Sequence, residues 1–417
     1  MDPSERYEAI AHCNHCGFCQ TACPIFRSTG YEGGVARGRL ALLRAVIEGR
    51  LDWSPELEEP LYSCLLCGAC TSNCFGAIPT AELVTAARTE YLEKVGRKSI
   101  HRLLFDTLLP YPRRLHLAAR AAALGKNSGA SNLARALGLL RIFGRDLEQA
   151  EGIVDRLPVR PFRERFKPGV YDGQGRGRPV AYFVGCGVDV VSHAVGEATL
   201  GLLRRFSRSV RVLENNCCGL PAWSYGDLTA ARKLAGKHLP LIEAAGAEIV
   251  VTDCSSCTGF IKKYPELFPE SDPLRSPALS VAAKARDVSE WLAAEVAPRS
   301  QALAGRRVTF HDPCHAVRGQ GVSREPREVL RRMPGAEFVE LPEADWCCGG
   351  AGSYALSHYD LAMQVLDRKM ENLRKTGAEV LVTTCPACIL QLSHGVRRHR
   401  LKVEVRHLTE VVSGPKG

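Results

Sequence analysis

No uninterrupted apolar run in these 417 residues approaches the ~20 needed to cross a bilayer. The opening stretch, MDPSERYEAI, is charged and lacks an apolar h-region, so export is not expected. The expected station is a reducing cytoplasm, with the inner face of a membrane open to it as a peripheral subunit. Cofactor and nucleophile signatures are missing too. No GxGxxG opens a βαβ unit, and neither a P-loop nor a G-x-S-x-G is present. The nearest glycine-rich string, GQGRGRP, has no strand before it. Nothing in the chain visibly holds flavin or nicotinamide, which argues against a complete dehydrogenase.

Cysteine is what the chain has in excess, with 18 residues. A reducing compartment disfavours a disulfide framework. The spacing agrees, because C-x2-C steps recur six times and neighbours that close suit a shared metal better than each other. Metal binding or catalysis is the expected use. At 45% hydrophobic and 24% charged, a chain of this length can bury more than one core, so several domains are expected. The formal charge of +10 is uneven: Arg97 to Arg178 holds 17 Lys+Arg against 7 Asp+Glu, and 17 − 7 accounts for all of it. No nucleic-acid motif accompanies that segment, and no nucleic-acid partner is expected. Anionic lipid, an acidic subunit or plain solvation would each suit it.

The cysteines divide the chain. Residues 1–95 hold two four-cysteine runs. Residues 96–178 hold none and are rich in Leu, Ala and Arg (RRLHLAARAAALG, SNLARALGLLRIFG), which predicts helices with apolar stripes. RPFRERFKPGVYDGQGRGRP then gathers Pro, Gly and Arg and reads as a linker. The remainder is a tandem duplication, 179–300 and 301–417. Cys186 answers to Cys314, Cys217-Cys218 to Cys347-Cys348, and Cys254 and Cys257 to Cys385 and Cys388, at offsets of 128, 130 and 131 residues. Each copy closes on a similar string, ARDVSEWL and VRHLTEVV. Short β-branched runs (VAYFV, IVVT, VTFH, VLVT) alternate with helical stretches, which predicts βαβ units on parallel sheets. The cysteines follow the strands, at the carboxyl ends where such sheets bind ligands. The expected fold is therefore α+β and multidomain: a helical two-cluster ferredoxin-like domain, a helical linker, and two α/β cysteine-rich domains.

CNHCGFCQTACP and CLLCGACTSNC follow C-x2-C-x2-C-x3-C, the run of two-cluster ferredoxins, in which the fourth cysteine crosses to the other cluster. Cys13, Cys16, Cys19 and Cys74 would hold one cubane 4Fe–4S cluster, and Cys64, Cys67, Cys70 and Cys23 the second. Structural zinc is the competing use of C-x2-C pairs, and two complete runs weigh against it. The second run departs from pattern, with Phe75 where proline is usual. Each duplicated half carries five cysteines, Cys186, Cys217, Cys218, Cys254 and Cys257 in one and Cys314, Cys347, Cys348, Cys385 and Cys388 in the other. That is one more than a tetrahedral zinc or a simple cubane requires, and an odd set cannot all pair as disulfides. Adjacent thiolates can let one sulfur bridge two irons, with the following glycine permitting the turn. An iron–sulfur centre of unusual ligation is expected in each half.

C-x30-CCG-x34-C-x2-C and C-x32-CCG-x35-C-x2-C resemble the CCG domains of heterodisulfide reductase. Similar domains occur in the iron–sulfur subunits of glycolate oxidase, lactate utilisation systems and anaerobic glycerol-3-phosphate dehydrogenase. GGVARGRLALLRAV and HDPCHAVRGQGVSREPREVL look most like the glycolate oxidase and lactate utilisation subunits, and the resemblance spans nearly the whole chain. It implies two noncubane 4Fe–4S centres, each on five cysteines. It also implies an oxidoreductase subunit that carries electrons from an FAD-dependent glycolate- or lactate-type dehydrogenase toward a quinone, a ferredoxin or another membrane acceptor. The alternative is a disulfide reductase acting at the CCG centres.

Several polar residues flank the ligands. His15 could tune a cluster by hydrogen bonding to sulfur, or simply face solvent. His311, Asp312, His315 and Arg318 surround Cys314, and His315 and Arg318 are the candidates for delivering protons or meeting a flavin. The plainer alternative is that His and Asp cap the next helix and Arg318 pairs with a carboxylate. His193, Asp227 and Asp253 read as caps or surface residues.

Overall fold

The computed structural model describes residues 3–352 and 354–414. The first run of chain is helical. Helices Ala36–Ile47 and Thr80–Lys94 present Leu40, Leu43, Leu83, Ala87 and Tyr91 to one apolar core. Two arginines are buried with them, and both are satisfied by nearby oxygens. Arg39 donates to Pro60 O (2.5 Å) and Ser63 Oγ (3.0 Å), and Arg88 to Leu61 O (2.7 Å) and Cys64 O (2.8 Å). Carbonyls that would otherwise be orphaned in the approach to the second cysteine run are thereby paired.

The duplication is visible as two sheets. The first has the order β1-β3-β2-β4-β5 (Gly169–Asp172, Ser209–Val212, Val180–Tyr182, Ile249–Thr252, Ala285–Asp287). The second has the order β7-β6-β8-β9 (Glu337–Phe338, Arg307–Phe310, Val380–Thr383, Glu404–His407). Removing β1 leaves the same order in both, and all those neighbours are parallel. The central strands IVVT and VLVT are buried along their whole length, as a parallel strand covered on both faces must be.

The halves pack through equivalent elements. Helix His193–Phe206 lies on Leu408–Ser413, and helix Val288–Glu295 lies on Arg324–Arg331. Each is a contact between one half's early helix and the other's last, so the pair is related by an approximate two-fold and shares one apolar core. The repeated strings ARDVSEWL and VRHLTEVV are matching capping boxes, Asp287 with Glu290 and His407 with Glu410.

The segment read as a linker is more than that. Its first expected helix is present as Pro112–Asn127, and the second breaks after Ala130–Ala136 because Gly138 turns to φ 69°. Asn216 Nδ2 donates to Pro110 O (2.8 Å) and Arg397 to Ile153 O (2.7 Å), so the segment straps both halves together. Phe162 is fully buried in the shared core, and Gly169–Asp172 pairs antiparallel with β3 as an edge strand. The GQGRG string is explained by packing. A Cβ on Gly173, Gly175 or Gly177 would stand 2.0–2.5 Å from backbone atoms of Phe206 or Ser207.

Candidate metal centres

The two N-terminal runs fold alike. His15 and Leu66 take φ 51° and 50°, Gly17 and Gly68 take φ 86° and 72°, and a short helix starts after each glycine. Left-handed residues in such turns direct successive N–H groups inward, which makes a seat for an anionic cluster. Cys23, Cys64, Cys67 and Cys70 line one small, mostly apolar cavity, together with Leu65 and Arg39. The structure thus delivers the fourth cysteine of the first run to the second. Burial pushes the Cys70 thiol up to about 12, and without a metal that pocket disfavours a thiolate. Cys13 and Cys74 pack against the same apolar cluster, and Cys19 lies close enough to Cys13 and Cys23 to feel both. Phe75, in the place of the usual proline, is 85% exposed and meets Phe18 edge to face at 4.9 Å. Cys16 is the exposed member of its group.

In the duplicated halves the cysteines lie in the loops and first helical turns that follow the carboxyl ends of the strands, Cys347 and Cys348 at the end of a longer loop after β7. None of the chain's 18 is in a disulfide. Their thiols form one unbroken series. Cys186 neighbours Cys217, Cys218 neighbours both Cys217 and Cys257, and Cys257 neighbours Cys254. In the second half Cys314 neighbours Cys347, Cys347 neighbours Cys348, Cys348 meets Cys388 at 3.5 Å, and Cys388 neighbours Cys385. Cys254 and Cys385 then lie next to each other across the two-fold. Hydrogen bonds from Cys217 and Cys257 draw Cys218 down to about 5, whereas the bond to Cys217 and burial push Cys186 up. So many buried thiols can neither all ionise nor all find oxygen acceptors. Thiolates in that number suit a soft metal centre, zinc or iron–sulfur, and five per half exceed the four that a tetrahedral zinc takes.

The series continues into the N-terminal domain. Cys67 is held well above its ordinary range by burial and by the nearby Cys347, and Cys314 also feels Cys67. Arg318 is the clamp at this junction. Its Nη2 donates to Asp345 (2.6 Å), and its Nη1 lies 3.5 Å from Cys67 O. The carboxylate pairing expected for Arg318 is therefore present. His315 is buried enough to lower its pKa, and its backbone carbonyl accepts from Gln320.

Three expectations are corrected. Asp312 does not cap the helix Cys314–Gln320, which begins after Pro313 without a side-chain cap; it takes two 2.8 Å bonds from Arg327 instead. His311 does not cap it either. Asp253 is neither a cap nor at the surface: it is fully buried, accepts from the Tyr182 hydroxyl, and is pushed up to about 6 by burial. Asp227, by contrast, caps Leu228–Glu243 as read, and also pairs with Arg97 at 2.8 Å. His15 is exposed in its loop, and His193 opens helix His193–Phe206.

Comparison with known proteins agrees with this geometry. The cysteine-rich CCG domain model matches residues 180–262 and 308–393, and a 4Fe–4S dicluster domain matches 9–78. Residues 96–154 match the linker region of the glycolate oxidase iron–sulfur subunit. A probable glycolate oxidase iron–sulfur subunit of Bacillus subtilis is 30% identical over 99% of this chain and 94% of its own length. This chain belongs to that CCG-domain family of iron–sulfur subunits. Its Escherichia coli relative, named glycolate oxidase iron–sulfur subunit, is 30% identical over 96% of this chain and 92% of its own. A subunit of the CoM/CoB fumarate reductase of Methanothermobacter marburgensis is 28% identical over 96% of this chain and 71% of its own. As a member, the chain binds iron–sulfur clusters through its dicluster and CCG regions. Among the described residues no helix is long and apolar enough to cross a membrane.

Sequence reasoning missed the Cys254–Cys385 junction and the buried Arg88 and Lys369. A signal for Lys369 was available: it stands in the helix position that His238 fills in the first copy, each shortly before a GAE.

Proposed function

We propose that this chain is the electron-transfer subunit of an oxidoreductase whose separate FAD-dependent subunit oxidises a glycolate- or lactate-type 2-hydroxy acid. It hands electrons on to a quinone or another acceptor. The observation that carries the reading is the unbroken row of thiol sites running through the molecule. Cys13, Cys16, Cys19 and Cys74 would hold one cubane, and Cys23, Cys64, Cys67 and Cys70 the next. The Cys314 set and then the Cys186 set would hold a noncubane centre each. Such clusters, when bound, supply one-electron transfer. The chain's own role is to fix the order of sites and to bury most of the thiols of the duplicated halves, while Cys16 stays exposed at the other end. The segment 96–178 offers a docking face: Leu117, Leu124 and Ile142 are 69%, 61% and 82% exposed beside Arg113, Arg114 and Arg141.

A second reading, disulfide reduction at the CCG centres, is favoured by Cys254 and Cys385 placing the two halves' cysteine sets in contact. The relative whose name includes CoM/CoB adds to it. The two readings separate in one assay. Anaerobically reconstituted chain is given a chemical electron donor and a disulfide, with no flavin subunit. Negligible thiol release is expected; robust turnover would replace the first reading with the second.

A further inference from the structure

The two copies of the cysteine-rich half differ in one buried pair. Phe183 and His311 each stand three residues before the first cysteine of their half, and His238 and Lys369 occupy matching helix positions. In the first half Phe183 meets His238 edge to face at 5.1 Å. Both nitrogens of His238 are occupied, Nε2 by the Asn216 N–H (3.3 Å) and Nδ1 by the Tyr264 hydroxyl (3.0 Å). That pocket offers a cluster nothing but sulfur.

The second half is different. Lys369 turns its ammonium to the carbonyls of Glu343 and Ala344. His311 is 1% exposed, and neither ring nitrogen has a hydrogen-bond partner of normal geometry. The Ala344 carbonyl acts on the ring but already accepts from Lys369 and from the Asp312 N–H, at 3.1 Å each. A buried imidazole left in that state is costly unless something else takes its lone pair. The candidate is adjacent: one ring nitrogen and the sulfurs of Cys348 and Cys388 all lie within 4.8 Å of one another. Two thiolates and an imidazole at that spacing can share one iron.

We propose that His311 is a nitrogen ligand of the second-half centre, bound to the iron that Cys348 and Cys388 hold. The second half would then have mixed sulfur–nitrogen ligation and the first half sulfur alone. This rests on the reading of the Cys314 set as an iron–sulfur centre. The test is pulsed electron paramagnetic resonance on the anaerobically reconstituted full chain, prepared with 14N- and 15N-histidine. The paramagnetic state of one centre should show a strongly coupled nitrogen that changes with the label. The coupling should vanish in His311→Phe, which copies the first half, while iron content holds. Absence of such a nitrogen in the unsubstituted chain, or its persistence in His311→Phe, overturns the proposal. The label experiment decides even if the variant fails to fold. Iron analysis separates two failures. A chain short of the second-half centre's irons refutes the reading of the cysteine set and the inference with it; full iron without the nitrogen refutes His311 ligation alone.

Discussion

Set side by side, the two cysteine-rich halves keep the same strand order, the same helix-on-helix contacts and the same closing capping box. They differ in neighbours. The first half gains an antiparallel edge strand, β1, and keeps an apolar Phe183 beside a satisfied His238. Both halves meet the dicluster domain, the first through the Tyr62 hydroxyl on Tyr225 O (3.1 Å), but the second brings cysteines to it, with Cys67 beside Cys347, Arg318 against Cys67 O, and the Tyr354 hydroxyl donating to Ser63 O at 3.0 Å. It also carries a buried cation and an unpartnered imidazole. Backbone periodicity and strand pairing are what both copies must keep to fold. The pocket walls are free to diverge, and they diverge in the copy that lies mid-row.

The sharpest way to break that comparison is at the cysteines. Cys186 lies among thiols of its own half, next to Cys217 and near Cys218, whereas Cys254 meets both Cys257 and Cys385. Cys186→Ser should remove one centre, about four irons, and leave the other three signals intact. Cys254→Ser should disturb both CCG signals. Spin quantitation on the two variants checks this, and identical spectra would dissolve the claimed junction.

A smaller effect separates the glycines of the two CCG turns. Gly219 and Gly349 both sit at positive φ, 101° and 83°. Alanine at either would cost about 1–2 kcal/mol for the left-handed backbone alone. At Gly349 the added Cβ would also lie 2.6 Å from Ala362 O, a backbone atom, while at Gly219 the nearest atom is a Phe260 ring carbon at 3.2 Å. Gly349→Ala should therefore be the worse of the pair by at least ~1 kcal/mol, read as a difference in anaerobic unfolding midpoints.

Much of the architecture could be read from the residues. The cysteine offsets announced the duplication, and β-branched runs before each cysteine located the strands that carry them. The edge strand β1 was hidden because its GVYD lies among Pro, Gly and Arg; it is held by backbone pairing to β3, which leaves little trace in composition. The role of Asp312 was misread for a related reason. A carboxylate just before a helix looks like a cap, and only the fold brings Arg327 to it. The Cys254–Cys385 contact depends on the two-fold packing of the halves, which no local spacing encodes.

The central claim is that four cysteine sets hold iron in one row. Iron, acid-labile sulfide and zinc measured together on oxygen-protected full-length protein test it most directly. About sixteen irons per chain with matching sulfide are expected from four four-iron centres. A colourless preparation carrying zinc in place of iron would contradict it.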